Sequence, residues 1–346
     1  MPAPWQLMYP ILPTHRYDRL KDDFHGDVDA ARKAFVEELA IFPIGNGPFK
    51  VVTSPDENNG MSVALERWDD YAEAQPFLRR IDFEVETDRV KRVKRLAEDR
   101  ADVIEMKADE FRWHVNGQSF DGRVNKFNTP RHNYDYLCWN LRDSVVPFFK
   151  DSNVRTALAC AIDLNVIRQT LYGGIYGQCK GIFEQHPFAD DVAANAISFN
   201  PRLAERMLDE AGWRLNGNLQ VRVRNGVEFR FNLLVPDNPP TLLLAAILMR
   251  DQLASVGVLV RVEAYAPNSE DYRKPKSSGT FHAMPLSVIS SLHPSEDEER
   301  WTDQQSNVNF GAYFNKDVKI LFELARQDVY SGPRYRKISD IIYKGQ

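Results

Sequence analysis

Apolar residues recur at the spacing of one helix face through residues 29–40, where Ala31, Ala34, Phe35 and Leu39 fall together. The pattern predicts an amphipathic helix started by Asp27 or Asp29. Residues 1–26 mix prolines, aromatics and charges and read as irregular. Strand patterns follow at 48–53, 61–67 and 80–86, a helix at 88–99 with Val90, Val93, Leu96 and Ala97 inward, and a strand at 102–106. This β–α–β rhythm predicts an α/β domain.

The second half has the same character. Residues 134–141 form an aromatic-rich strand, Pro147 to Asp151 break the pattern, and a long helical stretch covers 152–171. A domain boundary is placed near 145, and a loop with Gly173, Gly174, Gly177 and Gly181 follows the helix. The sharpest local signal lies at 200–212: Asn200 suits an N-cap, Pro201 the first helical position, and Gly212 the left-handed residue that ends a helix. Asn225-Gly226 marks a hairpin turn between 219–224 and 227–235. Helices at 240–255 and 268–276 alternate with strands at 258–265 and 281–288, and helices at 315–328 and 333–344 close the chain.

Composition narrows the class. The 346 residues are 43% hydrophobic and 27% charged, enough for two domains, and the net charge of −5 argues against a nucleic-acid binder. No apolar run approaches the roughly 18 residues of a membrane span. No secretory signal is visible at the start of the sequence. Cys138, Cys160 and Cys179 are far apart and read as free thiols.

Several blocks, in order, resemble the family 5 extracellular solute-binding proteins. They are Pro43 to Val51 (PIGNGPFKV), Leu65 to Tyr71 followed by Ile81 to Val85, Tyr136 to Asn140 (YLCWN), Phe149 to Asp163 (FKDSNVRTALACAID), Asn200 to Gly212, Leu253 to Val260, Phe281 to Pro294 and Tyr313 to Asn315. The resemblance implies a type II periplasmic-binding-protein α/β fold of two lobes. Here that fold is incomplete, with 1–145 as part of lobe I and 146–346 as lobe II (the family's domain III). It also implies the solute-binding component of an ABC importer, holding a peptide or related small solute between the lobes without covalent chemistry. The expected partners are a permease and an ATPase, the membrane is met only through the permease, and the compartment is periplasmic or extracellular. A cytoplasmic ligand-sensing domain and a truncated non-binding remnant are the alternatives.

Candidate ligand-binding residues follow from position. Tyr134, Tyr136, Trp139 and Asn140 lie on the aromatic strand, where alternation sets Tyr134, Tyr136 and Cys138 opposite Asp135, Leu137 and Trp139. These aromatics either line a cleft or pack a central strand. Tyr172 and Tyr176 sit on the glycine-rich loop, a location that often carries binding groups. In peptide-binding relatives an aspartate just ahead of an Asp-Pro-like segment receives the ligand's ammonium; counting back from Pro294 gives Ser290, with His293 nearby. Dipeptide binders also place an arginine in the stretch corresponding to 232–249, which here has neither Arg nor Lys. A longer peptide or another solute fits better than a free dipeptide. No catalytic motif, cofactor loop or metal-ligand spacing is present, and the seven histidines are scattered.

Overall fold

The computed structural model describes residues 14–41, 43–53, 62–107, 111, 120, 122–127, 133–142, 144–179, 181–183, 197–218, 220–289, 294–327 and 332–345. The chain divides into two compact units, Met1–Met106 with His114–Asp121, and Lys107–Trp113 with Gly122–Gln346. Among the described residues no helix is long and apolar enough to cross a membrane.

In the first unit, α1 (Thr14–Asp23) and α2 (Val28–Ile41) precede an antiparallel sheet of β1 (Phe49–Thr53), β2 (Ser62–Arg67) and β3 (Arg80–Glu84), followed by α3 (Arg89–Ala97). Helix α1 replaces the irregular stretch expected there. It has no buried residue of its own. Instead it leans on α2, with Tyr17 edge-on to Phe35 at 5.6 Å and both Arg16 and Arg19 bonded to Glu38. Asp88 caps α3, accepting from the N–H groups of Val90 and Lys91. The strand expected at 102–106 does not form, and among the described residues no neighbouring strand is bonded to it.

The second unit is built on a mixed sheet, in the order β4 (Asn133–Trp139), β10 (Ala283–Ile289), β8 (Arg230–Pro236), β9 (Leu259–Tyr265). Strands β8, β9 and β10 run parallel, and β4 pairs antiparallel with β10 from Ala283↔Trp139 to Ile289↔Asn133. A boundary at 145 would put residues 133–139 in the first domain. Their backbone bonds to β10 put them in the second unit's sheet.

Helix α7 (Pro240–Ser255) joins β8 to β9, and α8 (Glu270–Ser278) joins β9 to β10. Phe231, Leu233 and Val235 share one face of β8 and pack with Ala246, Met249 and Leu253 of α7 in the main core. Helices α4 (Ser152–Cys160), α5 (Leu164–Tyr172) and α6 (Pro201–Glu210) complete that layer. The single helix expected over 152–171 is two, because Asp163 starts a new one. Its carboxylate accepts from Asn165 and Val166 while its own N–H donates to Gln252 Oε1 at 2.8 Å.

Asn200 caps α6 by accepting from Leu203 N, and Gly212 takes a φ of 85°. A small antiparallel sheet of β5 (Arg214–Asn216), β6 (Val221–Arg224) and β7 (Val227–Glu228) follows. Asn225 and Gly226 turn the hairpin with φ of 52° and 78°, the paired positive angles that match strand twist. Helices α9 (Glu298–Thr302), α10 (Lys316–Arg326) and α11 (Gly332–Gly345) enclose a second core around Trp301, Phe322 and Tyr335.

Where β4 ends, Asn140 is fully buried. Its Nδ2 donates to Gly279 O (2.8 Å) and Phe281 O (2.6 Å), and its Oδ1 accepts from Arg142 N (3.2 Å). Leu141 N donates to Gly311 O at 2.9 Å, and a Cβ at Gly311 would come within 2.5 Å of Trp139 O. Replacing Asn140 by Ala leaves two carbonyls without donors. We expect Asn140→Ala to lower stability by roughly 2–3 kcal/mol. An unchanged urea midpoint would contradict this clamp.

Candidate functional site

Strand β4 carries four of the eight candidate residues, and the sheet divides them. Trp139 packs into the main core, 4.7 Å from Phe149 and 5.8 Å from Phe231 between ring centroids. Tyr134 and Tyr136 point the other way, toward the core around Trp301, and Cys138 joins Leu234, Met284 and Leu286 in a third cluster. The alternation read from the sequence therefore holds. Trp139 and Asn140 are buried, whereas Tyr134 and Tyr136 are half-buried, 5.8 Å apart between rings. Burial raises both phenol pKa values above the ordinary tyrosine value.

Tyr172 and Tyr176 are brought together. Helix α5 ends at Tyr172, and Gly173 and Gly174 both take positive φ, 60° and 77°, turning the chain back. The two rings stack at 4.6 Å with an interplanar angle of 27°. Arg168 Nε donates to Tyr176 O at 2.6 Å, which fixes the loop. Ser290 and His293 lie outside the described residues.

The parallel run of β8, β9 and β10 sends their carboxyl ends to one edge of the unit, where open α/β sheets bind ligands. There the face that holds Trp139 in the core becomes solvent surface. Ser287 lies opposite Asp135 and Ile289 opposite Asn133, all four exposed, and Ser287 Oγ donates to Asp135 Oδ1 at 2.5 Å. Ile289 is 81% exposed. Sequence reasoning missed this row because exposure on a strand depends on where the covering helices stop.

It also missed a pocket of about 360 Å³ between β8, β9 and α8. Glu263, Glu270, Asp271, Lys274 and His282 are among its lining residues, together with Leu234 and Phe281. Asn232 Nδ2 donates to Glu263 Oε1 at 2.9 Å, and Asn232 N donates to His282 Nδ1 at 3.1 Å. That backbone donor makes Nδ1 an acceptor, so the imidazole is neutral with its proton on Nε2. Burial lowers the His282 pKa, and the charge of Glu263 opposes the shift. Asn232 in the otherwise apolar run Phe231–Val235 was the available signal. Among the described residues no three His, Cys, Asp or Glu side chains converge as a metal site would require. Burial also raises the Cys138 thiol pKa to about 12, so it stays protonated.

Comparison with known proteins places this geometry. The model of bacterial extracellular solute-binding proteins, family 5 (Middle) matches residues 2–344. The oligopeptide-binding protein AppA of Bacillus subtilis is 24% identical over 313 residues, covering 87% of this chain and 54% of AppA. The probable ABC transporter periplasmic-binding protein SapA of Escherichia coli is 25% identical over 225 residues, covering 65% of this chain and 38% of SapA. The crystal structure of the ABC transporter substrate-binding protein CtaP of Listeria monocytogenes superposes with a TM-score of 0.74 at 19% identity, over 94% of this chain and 62% of that one. The fold is thus the α/β fold of the type II periplasmic binding proteins, and the chain spans about half the length of the Bacillus relative.

The His282 environment gives a pH dependence. Its folded pKa lies below the ordinary value of 6.5, so the unfolded chain binds the proton more readily. Its stabilising effect is complete above about pH 6.5 and is lost as pH falls through the depressed folded value. In urea unfolding between about pH 7.5 and 5, His282→Gln is expected to lose less stability than the parent. Equal losses would remove His282 as the cause.

Proposed function

This chain belongs to the bacterial extracellular solute-binding proteins, family 5, and from that premise we propose that it captures a peptide or related small solute for an ABC importer. It works in the periplasm or outside the cell membrane and delivers the solute to a permease driven by an ATPase. The observation that carries this reading is the exposed row at the carboxyl ends of β8, β9 and β10. In it Asn133, Asp135 and Ser287 offer hydrogen-bonding groups beside Ile289. Such a surface binds without reacting, since polar groups fixed on strands orient a ligand while its burial supplies affinity.

Tyr172 and Tyr176 supply aromatic contacts to the solute, whereas Tyr134 and Tyr136 lie on the face of β4 opposite the row; Ser290 and His293 are further candidate contacts read from the sequence. An extended peptide would be held mainly through its backbone, a mode that tolerates varied side chains. Two features favour longer peptides over dipeptides: Ser290 stands where an aspartate would hold the ammonium, and 232–249 carries no cation for a terminal carboxylate.

Thermal shift against pools of dipeptides and longer peptides tests the reading. A pool at about one hundred times Kd adds roughly 2.7 kcal/mol of apparent stability, so a longer-peptide pool should raise Tm by several degrees and the dipeptide pool should not. Tyr172→Ala and Tyr176→Ala are each expected to weaken the binding about tenfold. Failure of every pool to shift Tm rejects the proposal.

A further inference from the structure

The exposed row on β4 and β10 holds one ionisable side chain, Asp135, among three neutral ones. Asp135 and Ser287 are a cross-strand pair, as are Asn133 and Ile289, so all four side chains share one face of the sheet. The second pair follows the first at the spacing of alternate strand residues, roughly 7 Å. Ser287 Oγ donates to Asp135 Oδ1 at 2.5 Å, which takes up one carboxylate oxygen and orients the group. Among the described residues Asp135 makes no ion pair, and no hydrogen bond engages the Asn133 side chain. The pairing of β4 with β10 holds this row in register before any ligand arrives.

Chemistry selects what can lie on this row. A carboxylate that a ligand covers without a counter-charge loses its hydration with no return, which is costly. A solute seated here must therefore bring a cation to Asp135 or stop short of it. The second oxygen of Asp135, the lone pairs of Ser287 Oγ and the side-chain carbonyl of Asn133 are acceptors on one face. A primary ammonium carries three donors and no acceptor, and so matches that set. A guanidinium is planar, and its fork suits both oxygens of one carboxylate, of which Ser287 already engages one. Ile289, 81% exposed, offers an apolar rest for the carbon chain that bears the nitrogen.

We propose that Asp135 is the specificity-determining residue of this site and receives a primary ammonium group of the solute, with Ser287 and Asn133 completing its hydrogen bonds. This rests on the solute-binding reading and deepens it, from a peptide or small solute to one that presents an ammonium to β4. The amino terminus of a peptide and a lysine side chain carry the same group, and either satisfies the chemistry. The carboxylate comes from β4 itself, whereas position 290, just past β10, is a serine.

Calorimetric titration of the whole chain with three pools of longer peptides tests the proposal. The first pool has free amino termini and no lysine, the second acetylated termini and no lysine, and the third acetylated termini and one lysine in each peptide. The parent is expected to bind the first pool, the third or both at least about tenfold more tightly than the second, the scale of a hydrogen bond to a charged group. A preference for the first alone identifies an amino terminus, and one for the third a lysine side chain. Asp135→Asn keeps the shape of the side chain and an acceptor for Ser287, and it should erase the preference. Equal binding of all pools by the parent, or a preference that survives in Asp135→Asn, overturns the role of Asp135 and leaves the solute-binding reading standing. Binding of no pool rejects both.

Discussion

Strand β10 must find backbone partners on both edges, and the architecture of the second unit follows from how it does so. It joins β8 in parallel on one side and β4 in antiparallel on the other, and β4 lies about 150 positions earlier in the chain. A parallel neighbour can be reached only through a crossover, which α7 and α8 provide. The junction is held by Asn140, whose amide takes up the carbonyls of Gly279 and Phe281 just where the chain enters β10. Gly311 lies so close to Trp139 that a side chain would collide with the backbone, so the returning segment can seat only there.

This arrangement decides which side chains are available for recognition. Near the clamp, the β4–β10 face is covered by the main core, and Trp139 is consumed in packing against Phe149 and Phe231. Farther along the same two strands the helices no longer reach, and Asp135, Ser287 and Ile289 emerge. One strand thus serves as core at one end and as surface at the other. The opposite face divides in a similar way: Cys138, Leu234 and Met284 are enclosed beneath α8, while Asn232, Glu263 and His282 border an open pocket.

Rigid strands suit a surface that meets a ligand. Groups on β4 and β10 are held by backbone bonds from Ala283 to Ile289, so a ligand need not order them on arrival. The Tyr172–Tyr176 stack, by contrast, sits on a loop, yet the two left-handed glycines and the Arg168 bond restrain it. Both devices place polar and aromatic surface at low conformational cost.

What the sequence determined by itself was local or collinear. Asn200, Pro201 and Gly212 announce α6, and Asn225-Gly226 announces its hairpin, because capping and positive φ act within a few residues of their cause. The alternation along Tyr134 to Trp139 gave the correct two faces, and the ordered motifs gave the family. Tertiary structure decided the rest. Helix α1 exists because α2 offers Phe35 and Glu38, residues 102–106 form no strand and no described strand pairs with them, and Asp163 divides a continuous helical pattern with help from Gln252. Membership of β4 in the second unit, burial of Asn140 and exposure of Asp135 depend on contacts more than a hundred residues distant in the chain. Local preferences carry no information about such partners, since the free energy that selects them comes from burial and pairing that exist only once the sheet is assembled.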